Sequence, residues 1–325
     1  MLPKKMTAGQ PSPLFSYIVI SYNRPVDTQL VLANIFELEH DPNQTFEIII
    51  INNGSTSSYD NFETYLNELP SLQRNLVNYI NSAENLGVAR GRNLGITLAK
   101  GYYLVFIDDD ALFQEKQAPK IILEIFNQHN SPKHEHEQQQ LSYNDIGILA
   151  LREYRTTTHE YYIATKNKQL AKQPQFFTNF FVGSGHVVKK EVFEKVGLYP
   201  ETIFYGMEEY DLAYKTINAG YAILYSAAIT VLHQKSPNGR EAETKLTQWN
   251  LENKTVIAYK YLPIIYTFSH FIAWSGYFLR QSNFNVVQWW QAFKNTLTKL
   301  KQTKRQPISK KALAYIKQVK GRLWY

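Results

Sequence analysis

Two periods alternate along the first third of the chain. Phe15–Ile20, Phe46–Ile51 and Tyr103–Ile107 are continuous runs of β-branched and aromatic residues, the pattern of strands buried on both faces, and Leu76–Ile80 reads as another strand. Between them Val31, Ile35 and Leu38 recur at helical spacing behind Pro25, a residue suited to a first helical turn. Residues 88–100 predict a further helix, stopped by Gly101. Strand–helix–strand alternation at this spacing predicts an α/β fold with a mainly parallel sheet and right-handed crossovers. Ligands then sit at the carboxyl ends of the strands. That rule places SYNR (21–24), NNGS (52–55) and DDD (108–110) along one edge.

The pattern is broken by a polar, Gln/His-rich stretch at 128–145. Its His129, His134 and His136 are expected to belong to a solvated insertion loop rather than to a metal site. Order resumes at Ile146, with a glycine-bearing apolar segment at 180–188, a short helix ending at Gly197 and an acid-led helix over 208–219 stopped by Gly220. A strand pair is expected over 222–232. Residues 1–13 are polar and expected to be disordered, and the apolar run after them is too short for a secretory leader.

Composition sharpens this outline. The 325 residues fit one large domain or two ordinary ones. The absence of cysteine excludes a disulfide scaffold, a thiolate nucleophile and a cysteine-ligated zinc site. The formal charge of +7 is unevenly placed. From Leu251 to Tyr325 there are thirteen Lys/Arg and one acid, Glu252, a net +12 that leaves residues 1–250 at −5. An acidic body with a basic tail points to an anionic surface as partner.

Three consecutive carboxylates, Asp108-Asp109-Asp110, close a buried strand. They repel one another and lose hydration there unless a cation sits among them. Hard divalent ions such as Mg²⁺ or Mn²⁺ take carboxylate oxygens and leave positions open for phosphates. Ser21-Tyr22-Asn23-Arg24 follows the first strand and can line a nucleotide base or ribose. The stretch from Asn85 to Asn93, with Arg90 and Arg92, suits an anionic ligand near a helix start. Glu208, Glu209 and Asp211 open a later helix, and His233 follows a strand-like run. An imidazole beside carboxylates favours Mn²⁺ over Mg²⁺.

In their order and spacing, YIVISYNRP, IIIINNGSTS, NLGVARGRNLGITLAKGYYLVFIDDDA, GLYPE, YGMEEYDLAYKTINAGY and His233 are specific, and the chain from about Leu14 to Arg240 resembles the inverting, nucleotide-sugar-dependent glycosyltransferases of family 2. The resemblance implies a GT-A fold, a Rossmann-like mixed sheet flanked by helices. It implies that Ser21 and Asn52 border the base and that Arg92 lies near the nucleotide. Asp108 and Asp109 would lie near ribose, sugar or metal, Asp110 would be the firmest metal ligand, and His233 would reach the metal or diphosphate. Glu208-Glu209 occupies the family's acidic-pair position, making Glu209 the counterpart of the catalytic base. The chain departs from the family pattern with Asn at 52 and Glu at 209, where Asp is usual, and with Tyr199-Pro200-Glu201 for Phe-Asp-Glu.

The expected domains are a transferase unit over 14–250, with a nucleotide-binding half at 14–115 and an acceptor half at 146–250, and a helical extension over 251–325. In the extension, residues 261–279 are apolar and aromatic but make a poor membrane span. Val286, Trp290, Phe293, Leu297 and Leu300, and then Leu313, Ile316, Val319 and Leu323, repeat at helical spacing beside lysines, as interfacial helices do on anionic membranes. The expected partners are a nucleotide-sugar donor (UDP- or dTDP-linked), a glycan or lipid-linked acceptor and an anionic membrane, at the cytoplasmic face of a bacterial plasma membrane. The basic charge sits on a tail with apolar faces while the candidate site is acidic, which argues against nucleic acid. A sugar-1-phosphate nucleotidyltransferase would need a glycine-rich loop where SYNRP stands. A non-catalytic nucleotide-sugar-binding scaffold is the other alternative.

Overall fold

The computed structural model describes residues 12–129, 143 and 145–324. His134, His136 and nearly all of the N-terminal arm fall outside the described residues. The first half runs β1 (Phe15–Ser21), α1 (Pro25–Phe36), β2 (Phe46–Asn52), α2 (Asp60–Glu68), α3 (Ser71–Arg74), β3 (Val77–Asn81), α4 (Gly87–Leu98), β4 (Tyr103–Asp108), β5 (Ala111–Phe113) and α5 (Ala118–His129). The second half runs β6 (Ile146–Arg155), β7 (Glu160–Tyr162), β8 (Gln175–Thr178), β9 (Gly185–Lys189), α6 (Lys190–Val196), α7 (Glu208–Asn218) and β10 (Ala222–His233). Four helices follow: α8 (Glu243–Tyr261), α9 (Ile264–Gln281), α10 (Val286–Gln302) and α11 (Lys310–Gln318).

One mixed sheet joins the strands in the order β3-β2-β1-β4-β9-β6-β10-β5, with β7 on β6 and β8 on β10. Pairing is parallel from β3 through β4, and β6 runs parallel to β10. Both faces of the parallel half are apolar. Ile18, Ile49, Leu104 and Phe106 face one core, while Tyr17, Val19, Ile48 and Val105 face the other, as unbroken hydrophobic runs require. Helix α4 lies unusually close to β1 because Gly95 faces Ile18: a Cβ there would come within 2.5 Å of Ile18 Cγ2. That approach fixes where Arg92, one turn earlier, enters the interior.

Residues 222–232 form one long strand rather than a pair. The register of β10 against β6 shifts between Ser226 and Thr230. Before the shift, β10 pairs with β8, and after it with β5, so the irregularity lets a single strand serve two neighbours.

The compositional step at Leu251 falls in the middle of α8. Leu251, Ile257 and Ala258 are buried, Asn253 donates to the carbonyls of Tyr205 (3.0 Å) and Gly206 (3.1 Å), and Lys260 and Tyr261 donate to Asp211 (2.8 and 2.7 Å). Thus α8 braces the start of α7. The apolar face of α11 does not meet a membrane surface: Ile316 is buried in the main core together with Tyr315, Val319 and Leu323, while Lys310, Lys311, Lys317 and Lys320 face solvent. Its amphipathic pattern is spent on the protein itself. Among the described residues no helix is long and apolar enough to cross a membrane.

Candidate active site

The acidic triplet forms the turn from β4 into β5, and β5 returns antiparallel to β10 with Ala111 opposite His233. This pairing brings His233 against Asp110, and the Asp110 carbonyl accepts from the Gln234 N–H (2.9 Å). Ligand atoms of Asp108, Asp110 and His233 lie within 4.8 Å of one another. Asp110 Oδ2 is well occupied: it accepts from the Ser236 N–H (2.8 Å) and lies 3.3 Å from Arg24 and 3.4 Å from Arg240. Its other oxygen, Oδ1, is buried, 3.2 Å from His233 Nε2, and has no hydrogen-bond partner.

Electrostatics divide the triplet. Burial would raise the Asp110 pKa, but His233 and the guanidiniums of Arg24 and Arg240 hold it down at about 2. Asp109 turns inward instead, accepting from Arg24 (2.6 Å) and from the Tyr22 N–H (3.1 Å), and burial pushes it up to about 7 against the pull of Arg24. Burial would lower His233, yet Asp110 and Glu153 carry it up to about 9. Glu153, on β6, pairs with His233 Nδ1 at 3.0 Å and with Arg155 Nε at 2.9 Å.

Two carboxylate groups and an imidazole nitrogen, one oxygen buried and unpartnered, fit a divalent cation of the Mn²⁺ or Mg²⁺ type. Glu153 fits as well. A carboxylate on Nδ1 holds the proton of that nitrogen, so a metal arriving at Nε2 would displace only the proton that faces Asp110.

Opposite this cluster, at the N-terminus of α7, Glu208 and Glu209 share Arg92. Its Nη1 lies 3.1 Å from an Oε1 of each glutamate, and its Nη2 donates to the Gly183 carbonyl (3.0 Å) and lies 3.5 Å from Asp108. Arg92 is therefore a buried tie between the two acidic groups rather than an exposed contact for a nucleotide. Gly183 permits the tie: a Cβ there would stand 2.3 Å from Glu209 Oε1 and 2.7 Å from Arg92 Nη2. The two glutamates differ. Glu208 is buried, its Oε2 has no partner, and burial together with the charge of Glu209 pushes its pKa well above the usual carboxylate range. The Glu209 side chain keeps 16% of its surface exposed, against 3% for Glu208.

The remaining site residues line the first-half edge. Ser21 is fully buried, its hydroxyl bonded to those of Thr28 and Tyr59, so it sits under the cleft rather than in it. Asn23, at φ 58°, accepts from the Thr56 and Ser57 N–H groups (2.8 and 3.0 Å) and so clamps the loop after β2. Arg24 also donates to the carbonyls of Ser236 and Asn238, tying α1 to the turn after β10 beside a cavity of about 420 Å³. Asn52 donates to Asn81 (2.9 Å), and Asn85 accepts from the Gly87 N–H (2.9 Å) at the start of α4.

Sequence reasoning overlooked Glu153 and Arg240, and read Gly183 only as a place where an acceptor could approach the backbone or as part of a tight turn. Arg240 could have been found from its place just past His233 in a tight turn, and Glu153 from being an acid at the end of an apolar strand. The contact of Gly183 with Arg92 and Glu209 had no local signal, because both come from distant elements.

The sequence profile described as glycosyl transferase family 2 matches residues 16–197. The O-antigen chain rhamnosyltransferase WbaN of Salmonella anatum is 30% identical over 234 residues, 70% of this chain and 69% of the relative. Among solved structures, TarS 1-349 of S. aureus in complex with UDP-GlcNAc superposes with a TM-score of 0.58 at 12% identity, covering 93% of this chain and 83% of that one. A mannosyltransferase from Pyrobaculum calidifontis, in complex with GDP-Man and Mn²⁺, gives 0.54 at 15% identity over 90% and 75%. GalNAc-T7 with UDP, GalNAc and Mn²⁺ gives 0.57 at 14% over 80% of this chain, which spans about half, 51%, of that structure. At these identities the structural likeness speaks for the fold, and that fold is GT-A.

Proposed function

Because the chain belongs to glycosyl transferase family 2, we propose that it moves a sugar from a nucleotide-sugar donor to an acceptor hydroxyl in one inverting displacement that depends on a divalent cation. The observation that carries this reading is the meeting of Asp108, Asp110 and His233 within 4.8 Å, at the edge where an α/β sheet binds its ligand. Asp110 and His233 would hold the cation, with Asp108 beside them. When bound, the cation offsets negative charge on the departing diphosphate.

Glu209 is the base. Arg92 binds both glutamates, Glu209 is the more exposed of the two, and burial with the neighbouring Glu209 charge pushes Glu208 up. Glu209 takes the proton of the acceptor hydroxyl, whose oxygen forms the new bond to the anomeric carbon from the opposite face. The bond from that carbon to the diphosphate oxygen breaks, and its electron pair leaves with the nucleoside diphosphate. Tyr22, Asn23, Arg24, Asn52 and Asn85 shape the nucleotide edge, with Ser21 supporting it from beneath.

Rhamnose, linked to dTDP or UDP, is the first donor sugar to test, since the Salmonella relative is named for rhamnosyl transfer. The acceptor is a glycan or a lipid-linked saccharide in surface-polysaccharide assembly. Residues 14–250 act as the transferase unit, and 251–325 hold it peripherally on the cytoplasmic leaflet. A panel of UDP-, dTDP- and GDP-sugars, assayed for transfer and hydrolysis with Mn²⁺ and with EDTA, tests the reading. Turnover that is indifferent to EDTA, or a product of retained configuration, contradicts it.

A further inference from the structure

Helix α9 carries its chemistry the wrong way round for a helix facing water. Its inner face buries Tyr266, Thr267, His270 and Phe278. Its outer face should then be polar. Instead Ile265, Phe268 and Ile272 are each more than half exposed, and Arg280 is the only Lys, Arg, Asp or Glu in its eighteen residues. The apolar surface continues through the turn into α10, with Phe284 71%, Val287 81% and Trp290 49% exposed. Phe284 is held at φ 59°, a backbone region that bulky residues avoid, with its ring outward where it does nothing for the core. Contiguous apolar surface of this kind marks an interaction site.

Charge identifies the occupant. Arg280 on α9, Lys294 and Lys301 on α10 and Lys304 just beyond it are all exposed. The only acid between Leu251 and Tyr325, Glu252, is buried and paired with Lys299 at 2.8 Å. Among the described residues, the exposed surface of these helices therefore carries no carboxylate side chain. A second copy docking face to face would set this cationic surface against itself. An anionic lipid leaflet meets both the apolar stripe and these exposed basic residues.

We propose that α9 and the turn into α10 are the membrane-docking face, with α9 lying in the headgroup–acyl boundary of an anionic leaflet. This rests on the peripheral placement given above and specifies it: the interfacial element is the helix that is too polar to span, and α11 takes no part.

The test is co-sedimentation of the full chain with phosphatidylcholine vesicles, pure or with roughly a third phosphatidylglycerol. Wild type should pellet with the anionic vesicles. The double variant Phe268→Glu/Ile272→Glu, at exposed positions and so expected to melt like wild type, should partition at least about tenfold more weakly. Phe284→Ser should weaken binding by a smaller factor. Lys294→Gln/Lys301→Gln should erase the preference for anionic over neutral lipid. Equal binding by wild type and both apolar variants overturns the face while leaving peripheral placement standing. No pelleting by wild type overturns both, and calorimetric donor binding, which needs no lipid, reports separately on the transferase reading. Self-association of wild type that Phe268→Glu/Ile272→Glu abolishes, without vesicle binding, assigns the face to a second copy and overturns the proposal.

Discussion

Two acidic groups face each other across the site, and they are built on opposite plans. Around Asp110 the fold covers one carboxylate oxygen with Ser236, Arg24 and Arg240 and leaves the other buried without a hydrogen-bond partner beside an imidazole. Around Glu208 and Glu209 it supplies a permanent cation, Arg92, bonded to both. On the reading proposed above, the unpartnered Asp110 oxygen is the seat of a cation that arrives, and the Arg92-bonded pair supplies the base.

Removing the seat should have the largest effect. Asp110→Ala is expected to lose cation-dependent nucleotide binding and to cut turnover by about 10³–10⁴-fold, the scale of several kcal/mol of charge stabilisation. Titrating a nucleoside diphosphate calorimetrically, with and without Mn²⁺, checks the binding half. On the other side, Glu209→Gln should lower kcat roughly a thousandfold, as loss of a general base does, while leaving donor affinity near wild type. A Glu209→Gln enzyme with normal kcat breaks the comparison outright. Glu153→Gln sharpens it. If Glu153 sets the His233 tautomer, apparent Mn²⁺ affinity should fall about 10–100-fold without a matching change in metal-free stability.

The smallest effect lies away from both groups. His270 Nε2 donates to the Leu323 carbonyl (3.0 Å) and ties the end of the chain to α9. Burial, with Lys254 nearby, pushes its pKa down to about 3. Its folded value lies below its unfolded one, so the unfolded state gains the proton first and stability falls as pH drops below about 6.5. Between pH 6.5 and 5 this amounts to about 2 kcal/mol, and His270→Gln, which keeps a donor, should flatten that part of the pH–melting curve in thermal denaturation.

The parallel half was legible because a strand buried on both faces has only one composition, and β1, β2 and β4 show it without interruption. A cation at Asp108–Asp110 was legible because acids ending a buried strand imply one, whereas His233 joined them only through the family resemblance, and the fold does bring the three together. Their supports were not legible. Glu153 acquires its meaning only when β6 lies beside β10, eighty residues away along the chain. Arg92 was placed by its motif but not its direction: the close packing of α4 on β1 turns it inward to the glutamates. The tail illustrates the same limit. Helices α10 and α11 share one amphipathic pattern, yet α11 finds the core and buries its apolar side, whereas Val287 and Trp290 on α10 stay exposed. Periodicity reveals that a helix has an apolar face; only the fold reveals whether that face is taken.

The division of labour between the two groups is tested most directly by calorimetric titration of UDP and dTDP, with and without Mn²⁺, into Asp110→Ala and Glu209→Gln side by side. Mn²⁺-dependent binding should vanish in the first and persist at near wild-type affinity in the second. Binding that survives in Asp110→Ala, or is lost equally in both variants, contradicts the separation of a cation seat from a catalytic base.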